Sequence, residues 1–219
     1  MASQLLSLLH LSSPSLPIGA FAYSQGLESA IDIGWVDDED ALKRWLQEVM
    51  THSLANLDLP LIQRLYSTWQ EQASERVQYW QQVTLANRES AELVTEEQRL
   101  GATFSRLLVS LDLAPEAGFE SPTYLSMYAF AAQKMAIPMQ EALSGWLWSW
   151  LENQVMVACK TIPLGQTPAQ RILLQLNPTI TECVEKGMAV EDDEIGMTLP
   201  ALAMVSAWHE QQYSRLFRS

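Results

Sequence analysis

Apolar residues recur at intervals of three and four along most of this chain, and nowhere do they alternate with polar ones long enough to make a strand. This periodicity predicts amphipathic helices. The clearest opens at Asp37 or Asp38 and runs through Leu42, Trp45, Leu46, Val49, Met50 and Leu54. Before it, Leu5, Leu6, Leu8 and Leu9 lie on a short helix capped near Ser3, and Ser24 to Ile33 reads as a brief one stopped by Gly34. After it, Asp58 reads as the cap of a helix with Pro60 in its first turn and Leu61, Ile62, Leu65, Tyr66 and Trp69 inside. A helix after Ser74 buries Val77, Trp80 and Leu85. Thr95-Glu96-Glu97-Gln98 offers a capping box for Leu100, Phe104, Leu107, Leu108 and Leu111. Pro115 to Phe119 reads as a loop, and Ser121-Pro122 as the cap and first turn of a helix carrying Leu125, Tyr128, Ala129, Ala132 and Met135.

Pro138 opens a stretch in which Trp146, Leu147, Trp148, Trp150 and Leu151 occupy every face, so this helix should be central. Its surplus apolar surface calls for cover from elsewhere in the chain or from a second subunit. It should end near Lys160, because Pro163-Leu164-Gly165 cannot continue it. Thr167-Pro168 starts a helix that Asn177-Pro178 should interrupt, with another from Thr179 to Met188. Glu191 to Glu194 is an acidic loop, and Pro200 begins the last helix. The expected fold is an all-α, single-domain helical bundle of roughly ten helices over residues 1–219.

One passage resists the pattern. Ser12-Ser13-Pro14-Ser15-Leu16-Pro17-Ile18-Gly19-Ala20-Phe21-Ala22-Tyr23-Ser24-Gln25-Gly26-Leu27-Glu28 combines two prolines and two glycines, so Ser13 and Leu16 should be extended and no helix can run through. Gly19 can take a positive φ, and Gly26 either does the same or lets its helix pack tightly. Ile18, Phe21, Tyr23 and Leu27 are too apolar for a solvated linker and should be tucked against a core or a partner.

Charge narrows the partners. Thirteen Lys and Arg against 26 Asp and Glu leave a net −13, which repels phosphate backbones and anionic lipid, so neither nucleic acid nor membrane is expected. Ala142 to Leu151 is too short to span a bilayer. The N-terminal leucines lack the basic flank of a signal peptide, since no Lys or Arg precedes Lys43. Cys159 and Cys183 describe no disulfide framework, which fits a reducing cytoplasm.

Catalytic and metal motifs are scarce. There is no phosphate-cradling G-x-x-x-x-G-K-[ST] loop, and His10, His52 and His209 are scattered without metal-ligand spacing. Asp37-Asp38-Glu39-Asp40 is the nearest to an enzyme site: Asp37, Asp38 and Asp40 could hold Mg²⁺ in an all-α enzyme acting on an isoprenoid diphosphate. Their place at a helix start favours capping instead. The acidic chain also ends unexpectedly, in Arg215-Leu216-Phe217-Arg218-Ser219, either helix-end cations or a tail that orders on a partner.

The run Ser13 to Glu28 resembles the N-terminal signature of the UreF family of urease accessory proteins. Thr95 to Gly101 loosely resembles a second family segment, displaced by one position. Lys160 to Leu173 is similar to a third, with Ala169 where relatives carry glycine, and the ending from His209 through Tyr213 to Ser219 is similar to proteobacterial members. The resemblance implies a dimeric all-α adaptor, not an enzyme and without its own cofactor or metal. Such an adaptor joins the GTPase UreG to the scaffold UreD (also called UreH) and to apo-urease, where nickel is inserted. It implies partner-binding roles for Pro17, Gly19, Tyr23, Ser24, Gly26 and Glu28 in the N-terminal segment 1–23 and just beyond it, and for Lys160, Gly165, Gln166, Gln170 and Arg171. Tyr213, Arg215, Leu216, Phe217 and Arg218 would act in a partner-binding tail, residues 210–219. Lys160 and the signature would help gate the GTPase, and the tail would dock on the scaffold.

Overall fold

The stretch apolar on every face forms a long helix set among several others in the computed structural model, which describes residues 2–115 and 121–219. The described residues form ten α-helices and no strand: α1 (Ala2–Leu11), α2 (Leu27–Asp32), α3 (Glu39–Val49), α4 (Asp58–Gln70), α5 (Ser74–Ala86), α6 (Ala91–Ser110), α7 (Tyr124–Lys134), α8 (Met139–Thr161), α9 (Gln166–Ala189) and α10 (Pro200–His209). Helix α8 packs against α1, α2, α3, α4, α7 and α9. That packing covers Trp146 and Trp150, and Trp148 lies partly buried against the same core. Helices of the same chain therefore supply the cover its tryptophans require.

Several element boundaries differ from the sequence reading, each for a local reason. Asp58 does not cap α4. Its carboxylate turns inward and meets Arg88 at 2.8 Å, a buried charge pair that outranks an exposed cap. Helix α6 starts earlier than Thr95, because the Ser90 hydroxyl accepts from the Leu93 amide at 3.2 Å, and Glu96 and Glu97 sit inside the helix facing the interior. Thr123, not Ser121, caps α7. Pro178 does not break α9: it and Leu174, whose carbonyl loses its donor, both lie on the exposed face where water can serve that oxygen. The loop reading for Pro115 to Phe119 falls mostly on residues outside the described ones.

Asp38 caps α3 as expected, accepting from the Ala41 amide at 2.7 Å. A π-helical turn, Met50–Leu54, carries α3 on toward α4. The signature makes the turn its prolines demand, through a 3₁₀ turn at Ala20–Ala22. Ile18, Tyr23 and Leu27 are buried, whereas Phe21 is 63% exposed: the 3₁₀ turn points its ring outward. No described helix is long and apolar enough to cross a membrane.

Candidate functional site

The tail folds back onto the signature, and one carboxylate holds the two together. Gly26 precedes α2 with φ +83°, and a Cβ there would also meet Val205 of α10 at 2.8 Å, so both its freedom and its size are needed. This close approach seats Glu28, in the first turn of α2, in the seam between α2, α10 and the tail. Glu28 is 6% exposed. Its Oε1 accepts from the Leu216 amide at 2.7 Å, and its Oε2 accepts from the Phe217 amide at 3.0 Å and meets His209 Nε2 at 3.2 Å.

The clasp continues on both sides of Glu28. His209, fully buried, turns Nδ1 to Glu92 Oε2 at 2.6 Å, and Arg215 pairs with the other oxygen of Glu92. The Arg218 amide donates to the Ala22 carbonyl at 2.9 Å, and the Ser24 amide donates to the Ser219 carbonyl at 2.8 Å. Ser219 Oγ donates to Glu96 Oε2 at 2.7 Å; Gln25 Nε2 donates to the other oxygen of Glu96 at 2.6 Å, and Trp150 Nε1 donates to Gln25 Oε1 at 2.6 Å. Asn153 on α8 donates to the Tyr23 carbonyl at 3.1 Å. Lys160, exposed at the end of α8, lies 5.5 Å from the centroid of the buried Phe217 ring, a cation–π distance. Signature, tail and the end of α8 thus meet in one hydrogen-bonded unit.

A cavity of about 350 Å³ opens beside this unit. Leu16, Ile18 and Phe21 of the signature line it, with Lys160 and the buried charges Asp58, Arg88, Glu96 and Glu97. Asp58 and Glu97 flank Arg88 at 2.8 and 2.7 Å, and Glu97 also accepts from the Leu125 amide at 2.8 Å, tying α6 to the start of α7. Burial alone would lower the pKa of Arg88, yet the two carboxylates hold it above its ordinary value.

Burial raises the pKa of Glu96 to about 7, against the pull of its bonds from Ser219 and Gln25 and the charge of Arg88. A carboxyl whose folded value is raised binds its proton better folded than unfolded. The stability it gives is fully present below the ordinary value of 4.5 and is lost as pH rises through about 7. Glu96→Gln, which mimics the neutral acid, should therefore gain on the wild type between about pH 5 and about pH 8, by on the order of 3 kcal/mol at most. Thermal melts across that range check this; a constant difference would refute it.

Of the residues singled out in the sequence, Tyr23, Ser24, Gly26, Glu28, Lys160, Arg215, Leu216, Phe217 and Arg218 belong to this unit. Tyr213 projects fully into solvent. Pro17 is exposed in the loop, and Gly19, with φ +85°, begins the 3₁₀ turn. Gly165, Gln166, Gln170 and Arg171 gather instead at the start of α9, where Gly165 caps the helix and Arg171 pairs with Glu39 of α3 at 2.8 Å. Glu92 was not singled out, Glu96 was read only as part of a capping box, and His209 and Ser219 only as part of the ending. Nothing local marks their roles: their partners lie on other helices, on the tail or on the signature, far away in sequence.

Comparison with known proteins agrees with the motifs. The profile of the UreF family matches residues 36–177. The chain belongs to the UreF family. It is 49% identical to the urease accessory protein UreF of Chromohalobacter salexigens over 98% of this chain and 94% of that one. It is 48% identical to UreF of Pseudoalteromonas translucida over the same shares, and 46% identical to UreF of Teredinibacter turnerae over the whole of both chains. The UreF family is one of accessory proteins, not of enzymes. Within the acidic cluster Asp38 caps α3 and Glu39 pairs with Arg171. Among the described residues no group of three or more His, Cys, Asp or Glu is placed to hold a metal ion.

Proposed function

We propose that this chain is an adaptor of nickel metallocentre assembly, acting in the cytoplasm as a homodimer. It joins the GTPase UreG to the UreD/UreH scaffold and apo-urease, and it modulates GTP hydrolysis while nickel passes to urease as cargo. Residues 1–219 serve as one domain, with residues 210–219 as its partner-binding tail. The observation that carries this reading is the clasp itself. A tail held by Glu28 fixes the exposed side chains of Tyr213 and Leu216 relative to Lys160 and the signature, so that one rigid surface is offered to partners. Preformed surfaces bind with less ordering cost than free tails.

Lys160 is the residue through which gating would act, because its ammonium is exposed and sits against Phe217 of the tail. Reconstituting UreG, UreD and apo-urease with this chain tests the reading. The wild type should alter the rate of GTP turnover by UreG in the complex, and Lys160→Ala should move that rate several-fold without weakening assembly. Turnover identical with the wild type and with Lys160→Ala would remove the gating role.

A further inference from the structure

We infer that the groove between the N-terminal half of α6 and the tail is a docking site for a short acidic segment of a protein partner, read by Arg99 and Arg218. The groove measures about 350 Å³ and has Tyr23 on its wall. In a chain with only 13 Lys and Arg and a net charge of −13, three arginines line this one groove: Arg99, Arg215 and Arg218. Such a concentration of cations is the reverse of what the rest of the chain would place there.

Its two carboxylates, Glu92 and Glu210, are bonded to groups other than Arg99 and Arg218. Glu92 is committed to His209 and Arg215. Glu210 Oε1 accepts from the Ala91 amide at 2.8 Å and the Glu92 amide at 3.4 Å, serving the first turn of α6. That leaves two guanidinium groups. Among the described residues neither Arg99 nor Arg218 makes a side-chain hydrogen bond or ion pair, and both are exposed. Their backbones are nevertheless fixed: Arg99 lies within α6, and the Arg218 amide is bonded to Ala22. Two like charges held at one groove, neither with an ion-pair partner of its own among the described residues, form a prepared site.

The chemistry of the occupant follows from the forks and from the field around them. A guanidinium presents paired donors that match a carboxylate, and a groove this size takes two or three side chains. A long polyanion would carry its charge far beyond the groove and meet the field of a −13 protein. A few carboxylates on a short segment can reach Arg99 and Arg218 without extending over the wider negative surface. This adds the partner's chemistry to the adaptor reading, and it rests on that reading only in taking the occupant to be a protein.

The test is fluorescence anisotropy of a labelled hexaglutamate peptide with the full chain at low ionic strength, against hexaglutamine, inorganic phosphate as competitor, and a short single-stranded oligonucleotide. Hexaglutamate should bind and hexaglutamine should not. Arg99→Gln with Arg218→Gln should weaken binding roughly ten-fold or more, and added salt should weaken it too. Both side chains are exposed, so the melting temperature of the double variant should stay within a degree or two of the wild type. No hexaglutamate binding, equal binding of both peptides, indifference to the double variant, or preference for phosphate or the oligonucleotide would each overturn the inference. If the wild type recovers urease partners and the double variant recovers them equally, this inference falls and the adaptor reading stands. If the peptide depends on both arginines and no urease partner is recovered, the reverse holds.

Discussion

Arg88→Met should lower stability by about 3–5 kcal/mol, the cost of breaking a buried ion pair from one side. In a domain of this size that is a fall in melting temperature of roughly 6–20 °C. The reason is not the loss of attraction alone. Asp58 and Glu97 have side chains 4% and 5% exposed, and without the guanidinium both carboxylates are left in a low-dielectric interior. Glu97 also anchors the start of α7 through the Leu125 amide, so α6 and α7 should loosen together. Arg88→Lys should fall between, since it keeps the charge and loses the fork that spans two acids. Adding Asp58→Asn and Glu97→Gln to Arg88→Met should restore part of the loss, because the uncompensated charges are then gone. A fall of less than about 1 kcal/mol for Arg88→Met would show that water reaches this cluster.

The helices were legible in the sequence because each buries a stripe, and a stripe is written at three- and four-residue spacing. Leu42, Leu46 and Val49 on α3, or Val77 and Trp80 on α5, needed no tertiary information. The misreadings share one cause. Asp58, Glu96 and Glu97 are polar residues near helix starts, where the local rule assigns them to caps. The structure uses them for bonds to Arg88, Ser219 and Leu125, all outside the helices that carry these acids, and no local pattern encodes a partner outside the helix. Pro178 failed differently: a helix can carry a proline where the freed carbonyl faces water, as the exposed Leu174 and Pro178 allow. For the candidate site, the signature and the basic tail were visible separately, by their prolines and by their charge. That Glu28 joins them was not, since Gly26, Glu28, His209 and the tail amides meet only once α2 lies on α10.

Removing residues Arg215 to Ser219 should have the largest functional effect. The truncation takes away the two amides that Glu28 holds, the Arg215 partner of Glu92, the ring beneath Lys160, and the Ser219 bonds to Ser24 and Glu96. Glu28 and Glu92 then retain His209 alone among these partners, and the signature loses its bonds at Ala22 and Ser24. Both halves of the proposed docking surface are lost at once, because each is fixed by the other. The bulk of the helical core, packed around α8, does not depend on the tail, so the truncated chain should still fold and melt cooperatively. That separates a binding defect from a folding one.

The deciding measurement is co-purification of UreD, UreG and apo-urease with the full chain and with the chain lacking residues 215–219, each checked by circular dichroism for intact helix content. The adaptor account expects recovery of all three partners by the full chain and loss of at least the scaffold by the truncated one. Equal recovery by a folded truncated chain would contradict the docking surface described here, and no recovery by either form would contradict the adaptor role itself.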